Sequence, residues 1–276
     1  YKGDQLHYLW ENMISTGAYY RLGISTYVWN KLFRREILLE PQNNVDNRIS
    51  IGEDGAVTYP ALLKCSCVAV IDNADYHYRQ REDSMLKQNI AYSTEALKLK
   101  YLYDYMMDWA KSTPDGLNLK EQAEDYILSI ALMRSGGRLP HEDYSAFDSA
   151  YYDKKVVVYS AGTFGQQLMN RIKESGHCEV AAWIDDDYWE YRRCCLDVDP
   201  VESITGHAYD YILIATVDSH VAELIMQRLA DLGVSRDVML TIKVPDNRDQ
   251  MLRKFIDVEA VKRQEEYREA GAATHA

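Results

Sequence analysis

Residues 154–165 read KKVVVYSAGTFG. A short β-branched run leads into a Ser-Ala-Gly-Thr-Phe-Gly turn, and the turn opens a helical pattern, TFGQQLMNRIKESG. Three consecutive valines suit a strand buried on both faces, as in a parallel sheet. The turn has the form G-x-G-x-x-G with Ser160 in the first glycine position. In such a turn the middle glycine, Gly162, lets the backbone approach a phosphate, and the last, Gly165, lets helix and strand pack closely. The start of the helix then offers N–H groups and a positive dipole to an anion.

Downstream, EVAAWID (179–185), YDYILIAT (209–216) and DVMLTI (237–242) read as further strands, and VAELIMQRLADLG (221–233) as an amphipathic helix. This alternation predicts an α/β module with a parallel, Rossmann-like sheet over 153–246. Asp185 closes the second strand about twenty residues past Gly165, where dinucleotide folds place an acid on the ribose hydroxyls. Gly162, Gly165 and Asp185 are therefore the candidate nucleotide-binding residues. The two glycines serve a turn and a helix contact equally well without any ligand, and both readings stay open.

Upstream, residues 5–14 place Leu6, Leu9, Trp10, Met13 and Ile14 on one helical face. A polar loop, PQNNVDNRISIG (41–52), leads to Glu53 and Asp54 at the head of a short helix that contains Pro60. Two strands are expected at 67–71 and 75–80. A greasy helix begins near Ser93, and a second starts at Asn118 with Glu121 three residues on, a capping-box pattern that ends at Gly136-Gly137. This pair reads as a helical bridge over 91–152. The last stretch, 247–276, reads as a charged helix and tail.

The formal net charge of −12 excludes a nucleic-acid surface, which needs clustered Lys and Arg. No stretch has the length of apolar residues required of a membrane span. The sequence opens at Tyr1 without an initiator Met and reads as a piece of a longer protein. The five cysteines lack zinc-site spacing and read as reduced thiols of a cytoplasmic protein. Tyrosine is abundant, 22 against 4 Phe; it fills amphipathic core and interface positions or forms a carbohydrate-stacking surface. A homo-oligomer could use such a surface, and nothing in the spacing decides it.

Glu53-Asp54 fits the needs of a general base, an ordered carboxylate at a cleft rim. The plain alternative is helix capping. Three segments bear on the choice: VWNKLFRREIL (28–38), IGEDGAVTYPAL (51–62) and DYHYRQREDSML (75–86). In order and spacing they resemble the second half of the bacterial-type family-2 glycosyltransferase catalytic domain. The resemblance covers about a third of the chain, over residues 1–90. It implies a partial GT-A-like half and an inverting, nucleotide-sugar-dependent transfer in cell-surface polysaccharide assembly. Asp54 would be the base and Glu53 its partner. Trp29 and Lys31 would lie in the acceptor loop, and Arg79, Arg81 and Ser84 would close over the donor phosphates. His77 in the last segment reads as structural, with a late metal ligand as the alternative.

The implied substrates are a nucleotide sugar and a glycan or lipid-linked acceptor, handled in the cytoplasm, peripherally at the inner membrane face. The family's D-x-D, which holds Mg²⁺ or Mn²⁺ on the diphosphate, has no counterpart before Asp54. Asp185-Asp186-Asp187 and Asp197-Val198-Asp199 lie in the later module and are unrelated to it. This stretch alone is therefore expected to be inactive, with the metal confined to the full-length enzyme. The later module resembles the small Rossmann-like units that accompany sugar-modifying enzymes, on Tyr159–Gly165, Trp183–Asp185 and Tyr209–Ala215. A non-catalytic nucleotide- or nucleotide-sugar-binding regulatory module, or an NAD-dependent oxidoreductase fragment, are the alternative readings.

Overall fold

A computed structural model describes residues 1–16, 21–72, 91–113, 116–135, 146–243, 247–263 and 266. They form an α/β protein that gathers into two compact units. One lies within Tyr1–Arg79, Ile90–Ala131 and Asn247–Ala276, the other within Leu132–Asp246. None of the described helices is long and apolar enough to cross a membrane.

The described residues of the first unit are helical: α1 (Asp4–Glu11), α2 (Arg35–Asn44), α3 (Glu53–Leu63), α4 (Tyr92–Lys111), most of α5 (Leu119–Arg134) and α9 (Arg248–Phe255). The expected loop from Pro41 is in part helix, because Pro41 is carried inside α2. The expected strand at 67–71 does not form. Cys67 makes one isolated antiparallel bridge to Lys2, and Val70 and Ile71 stay exposed without a strand beside them. The strand expected at 75–80 and the cap at Gly136-Gly137 lie outside the described residues.

Helix α3 begins at Glu53 itself, after Gly52 in the left-handed region at φ 72°. A Cβ at Gly52 would stand 2.6 Å from Leu102 of α4, so glycine meets both the backbone and the packing demand. Pro60 lacks an N–H and so frees the Ala56 carbonyl one turn earlier. The Tyr105 hydroxyl of α4 donates to that carbonyl at 3.4 Å. Within 91–152, α4 packs on α3, and the described residues up to Ala131 belong to the first unit. Helix α9 joins the same unit through an ion pair of Arg248 with Asp125, 2.7 Å apart, and buries Met251, Leu252 and Phe255.

In the second unit β1 (Lys155–Tyr159), β2 (Glu179–Ile184), β3 (Tyr211–Ile214) and β4 (Met239–Leu240) pair in the order β2-β1-β3-β4, all parallel. Helices α6 (Thr163–Ser175), α7 (Tyr188–Arg193) and α8 (Ser219–Asp231) connect them. The sheet expected over 153–246 is thus present, with β3 and β4 shorter than their apolar runs. A 3₁₀ turn, Arg236–Val238, takes the start of the last run, and Ser235 caps it by accepting from the Asp237 amide. Alternate residues feed opposite faces. Val157, Tyr159, Ile184, Ile212 and Ile214 share a core with Ile225 and Leu229 of α8, while Val156, Val158 and Leu213 are buried on the other side.

Gln122 fastens the first unit's N-terminal segment. It is 2% exposed, and its Oε1 accepts from the Ile14 and Ser15 amides at 3.0 and 3.3 Å. Its Nε2 donates to the Trp10 carbonyl at 3.2 Å and to Asn118 Oδ1 at 2.8 Å. Gln122→Leu would strip partners from two buried amides, at a cost of about 2–4 kcal/mol. Urea unfolding should show that loss; a change below about 0.5 kcal/mol, the size of an ordinary surface substitution, would show that these amides find other partners.

Candidate functional site

Asp54 sits in the first turn of α3, and this helix holds the loop that precedes α2. The Asp54 carboxylate accepts a hydrogen bond from the Val28 amide. One turn on, Thr58 Oγ1 donates to the Thr26 carbonyl at 2.9 Å, and Tyr59 OH donates to the Ile24 carbonyl at 3.2 Å. Positions four apart share a helix face, as Asp54 and Thr58 do, and the long side chain of the adjacent Tyr59 reaches the same segment. At its start this segment is pressed against the end of α1: a Cβ on Gly23 would stand 1.6 Å from the Asn12 carbonyl oxygen.

Past Val28 the loop carries Trp29 and Lys31. Trp29 stacks on Tyr27 with ring centroids 5.1 Å apart and planes 21° from parallel, and both rings keep exposed surface. Lys31 Nζ donates to the Tyr27 carbonyl at 2.7 Å and to Asn30 Oδ1 at 2.8 Å. The structure therefore brings Trp29, Lys31 and Asp54 to one place. Glu53 is exposed beside them. Arg79, Arg81, Ser84 and His77 lie outside the described residues.

Burial drives the electrostatics here. It pushes the Asp54 carboxyl above its ordinary range, and the neighbouring Glu53 charge adds to this; the Val28 amide and Lys31 oppose it. The positive end of α3 favours the ionised form of Asp54, but desolvation is the larger effect. Burial also pulls the Lys31 ammonium down to about 8, and the Asp54 charge restores part of that loss. One carboxyl held up and one ammonium held down form a pair of opposed perturbations, and such perturbations gather at functional sites. Tyr27, Thr58 and Tyr59 were missed in the sequence; the four-residue spacing of Thr58 from Asp54 is the one available signal.

The second unit presents its glycine turn at the C-terminal end of β1. Because β2 and β3 flank β1, the chain changes direction there, which is where open α/β sheets hold ligands. The two glycines divide their work. A Cβ at Gly165 would lie 2.0 Å from the Ser160 carbonyl oxygen, so Gly165 is needed for packing. At Gly162 a Cβ would meet only Ser160 Oγ at 3.7 Å, and no side chain caps α6. Asp185 turns inward: its carboxylate accepts from the Ala161 amide at 2.7 Å and from the Asp187 amide at 2.8 Å. It holds the glycine turn, and burial pushes its carboxyl up.

Two other acids of the D-x-D strings are engaged too. Asp186 accepts from Tyr159 OH at 2.7 Å and pairs with Arg228, and Asp199 pairs with Arg192. These residues do not fit a metal on a diphosphate. No group of three His, Cys, Asp or Glu among the described residues is placed to hold a metal ion. A cleft of about 480 Å³, lined by His207, Tyr209, Leu232 and Ser235 among others, opens before β3 and β4, at the opposite end of the sheet from the glycine turn.

Ser160 stands where the motif has glycine, and its φ is 91°, a region that costs an L side chain about 1–2 kcal/mol. Ser160→Gly should stabilise the protein by about 1 kcal/mol, since glycine enters that region freely though it gains freedom when unfolded. Thermal unfolding checks this, and a lowered Tm would refute strain at the turn. Compared with protein-family models, curated proteins and solved structures, the chain matches none.

Proposed function

We propose that the first unit is the acceptor-side half of an inverting, nucleotide-sugar-dependent family-2 glycosyltransferase, with Asp54 as its base. One observation carries the reading: Asp54 stands at a helix head beside Lys31, on the loop that bears the stacked Tyr27–Trp29 pair. The aromatic pair suits the apolar faces of a sugar ring. A carboxylate of raised proton affinity suits removal of a proton from an acceptor hydroxyl. In the direct displacement, the acceptor oxygen attacks the anomeric carbon as its proton passes to Asp54, and the nucleoside diphosphate leaves with the bonding pair. Lys31 would offer positive charge beside the reacting groups.

The reading requires a donor half with its D-x-D and divalent ion, which these 276 residues do not contain. It places the enzyme in polysaccharide assembly at the cytoplasmic membrane face, where a lipid-linked acceptor is reached without a membrane span. In a protein that joins such a donor half to these residues, Asp54→Asn should lower sugar transfer by about 10²- to 10⁴-fold. An unchanged rate removes Asp54 from the chemistry.

A second reading, a nucleotide- or nucleotide-sugar-binding module, is favoured by the open approach at Gly162 and the α6 start that no side chain caps. With Asp185 occupied by the turn, an NAD-type ribose clamp is less well served than a bound phosphate. Nucleotide sugars should raise Tm more than NAD(H) does, by ligand linkage. Gly162→Val should abolish that rise while keeping the fold, since its side chain enters open space; a rise that survives the substitution places the ligand elsewhere.

A further inference from the structure

Helix α3 holds the segment before Trp29 by three contacts at alternate residues: Ile24 by Tyr59, Thr26 by Thr58 and Val28 by Asp54. Thr58 and Tyr59 are both 0% exposed and touch no solvent. Valine and phenylalanine would fill the same volumes, so packing alone does not call for the two hydroxyls. Each hydroxyl is spent on a carbonyl of a segment that has no regular secondary structure of its own. The next polar contact along the chain is Lys31 Nζ on the Tyr27 carbonyl, between two of the held positions.

We propose that Thr58 and Tyr59 are positioning residues: their buried hydroxyls fix the backbone at Ile24 and Thr26, and thereby set Lys31 and the Tyr27–Trp29 pair against Asp54. The catalytic value of this placement rests on the glycosyltransferase reading; the placement itself does not. Asp54 alone holds the loop less firmly once it takes a proton, because a neutral carboxyl is a weaker acceptor than a carboxylate. The two neutral hydroxyls keep the loop in register through that change. Thr58 and Tyr59 themselves touch no reacting atom.

The test reads Lys31 directly, without a sugar. Competitive acetylation by trace acetic anhydride, followed peptide by peptide in a mass spectrometer, gives the pH profile of each amine. In the unsubstituted protein Lys31 should titrate at about 8, against 10.5 for an ordinary lysine. In Thr58→Val/Tyr59→Phe the profile should move toward the ordinary value, and Lys31 labelling at pH 8 should fall at least about tenfold. Thr58→Ser, which keeps the hydroxyl, should leave the Lys31 profile close to that of the unsubstituted protein.

An unchanged Lys31 profile in a folded double variant overturns the proposal, whatever the loss of stability; so does an ordinary profile in the unsubstituted protein. If the double variant does not fold, the isosteric Thr58→Val alone decides, with the same two outcomes. If Lys31 moves while Asp54→Asn leaves transfer untouched, the positioning stands and the glycosyltransferase reading falls.

Discussion

In the second unit the chain must pass within contact distance of itself where the first strand gives way to the helix. Gly165 brings the α6 backbone so close to the Ser160 carbonyl that any Cβ would lie 2.0 Å from it. That approach also fixes what surrounds it. The Ser160 carbonyl accepts from Trp183 Nε1 at 2.9 Å, the Ser160 amide donates to Ile184 at 2.9 Å, and Asp185 takes the Ala161 amide. The end of β2 is therefore tied to the turn by side chain and backbone together. The positive φ of Ser160 is the local cost of keeping a hydroxyl residue at this corner.

The first unit depends on polar groups buried with full satisfaction. Gln122 supplies partners to a segment that has left α1, and Thr58 and Tyr59 do the same for the loop before Trp29. Irregular backbone must find its hydrogen bonds somewhere, and in this unit helices provide them through side chains. The same burial that makes these bonds valuable displaces the proton equilibria of Asp54 and Lys31 in opposite senses. A structural economy and an electrostatic poise thus arise from one arrangement.

The parallel sheet was legible because its signals are local and redundant. KVVVY and EVAAWI are short apolar runs separated by an amphipathic helix, and the Gly162–Gly165 spacing marks the turn between strand and helix. The helices around Leu6, Asp54 and Leu99 were legible for the same reason. Val68, Val70 and Ile71 misled because β-propensity does not supply a neighbouring strand. Asp185 fell at the expected place and yet serves the turn, since spacing fixes where a carboxylate stands and not which donor reaches it first. The company of Lys31 and Asp54 could be anticipated from the order of motifs. The hydroxyls of Thr58 and Tyr59 could not, because their partners are backbone carbonyls more than thirty residues away, at separations of 32 and 35.

The ion pair of Asp125 with Arg248 joins residues 123 positions apart, and the whole parallel sheet lies between them in the chain. During synthesis at about 5–20 residues per second, α9 emerges roughly 6–25 s after the α5 carboxylates it will meet. The sheet, complete by Leu240, leaves the ribosome before the helical unit has its last piece. The usual order of maturation from N-terminus to C-terminus is inverted here: the later-encoded unit can finish first. Until α9 arrives, Asp125 lacks its Arg248 partner, and the apolar surface that later buries Met251, Leu252 and Phe255 stays open to water.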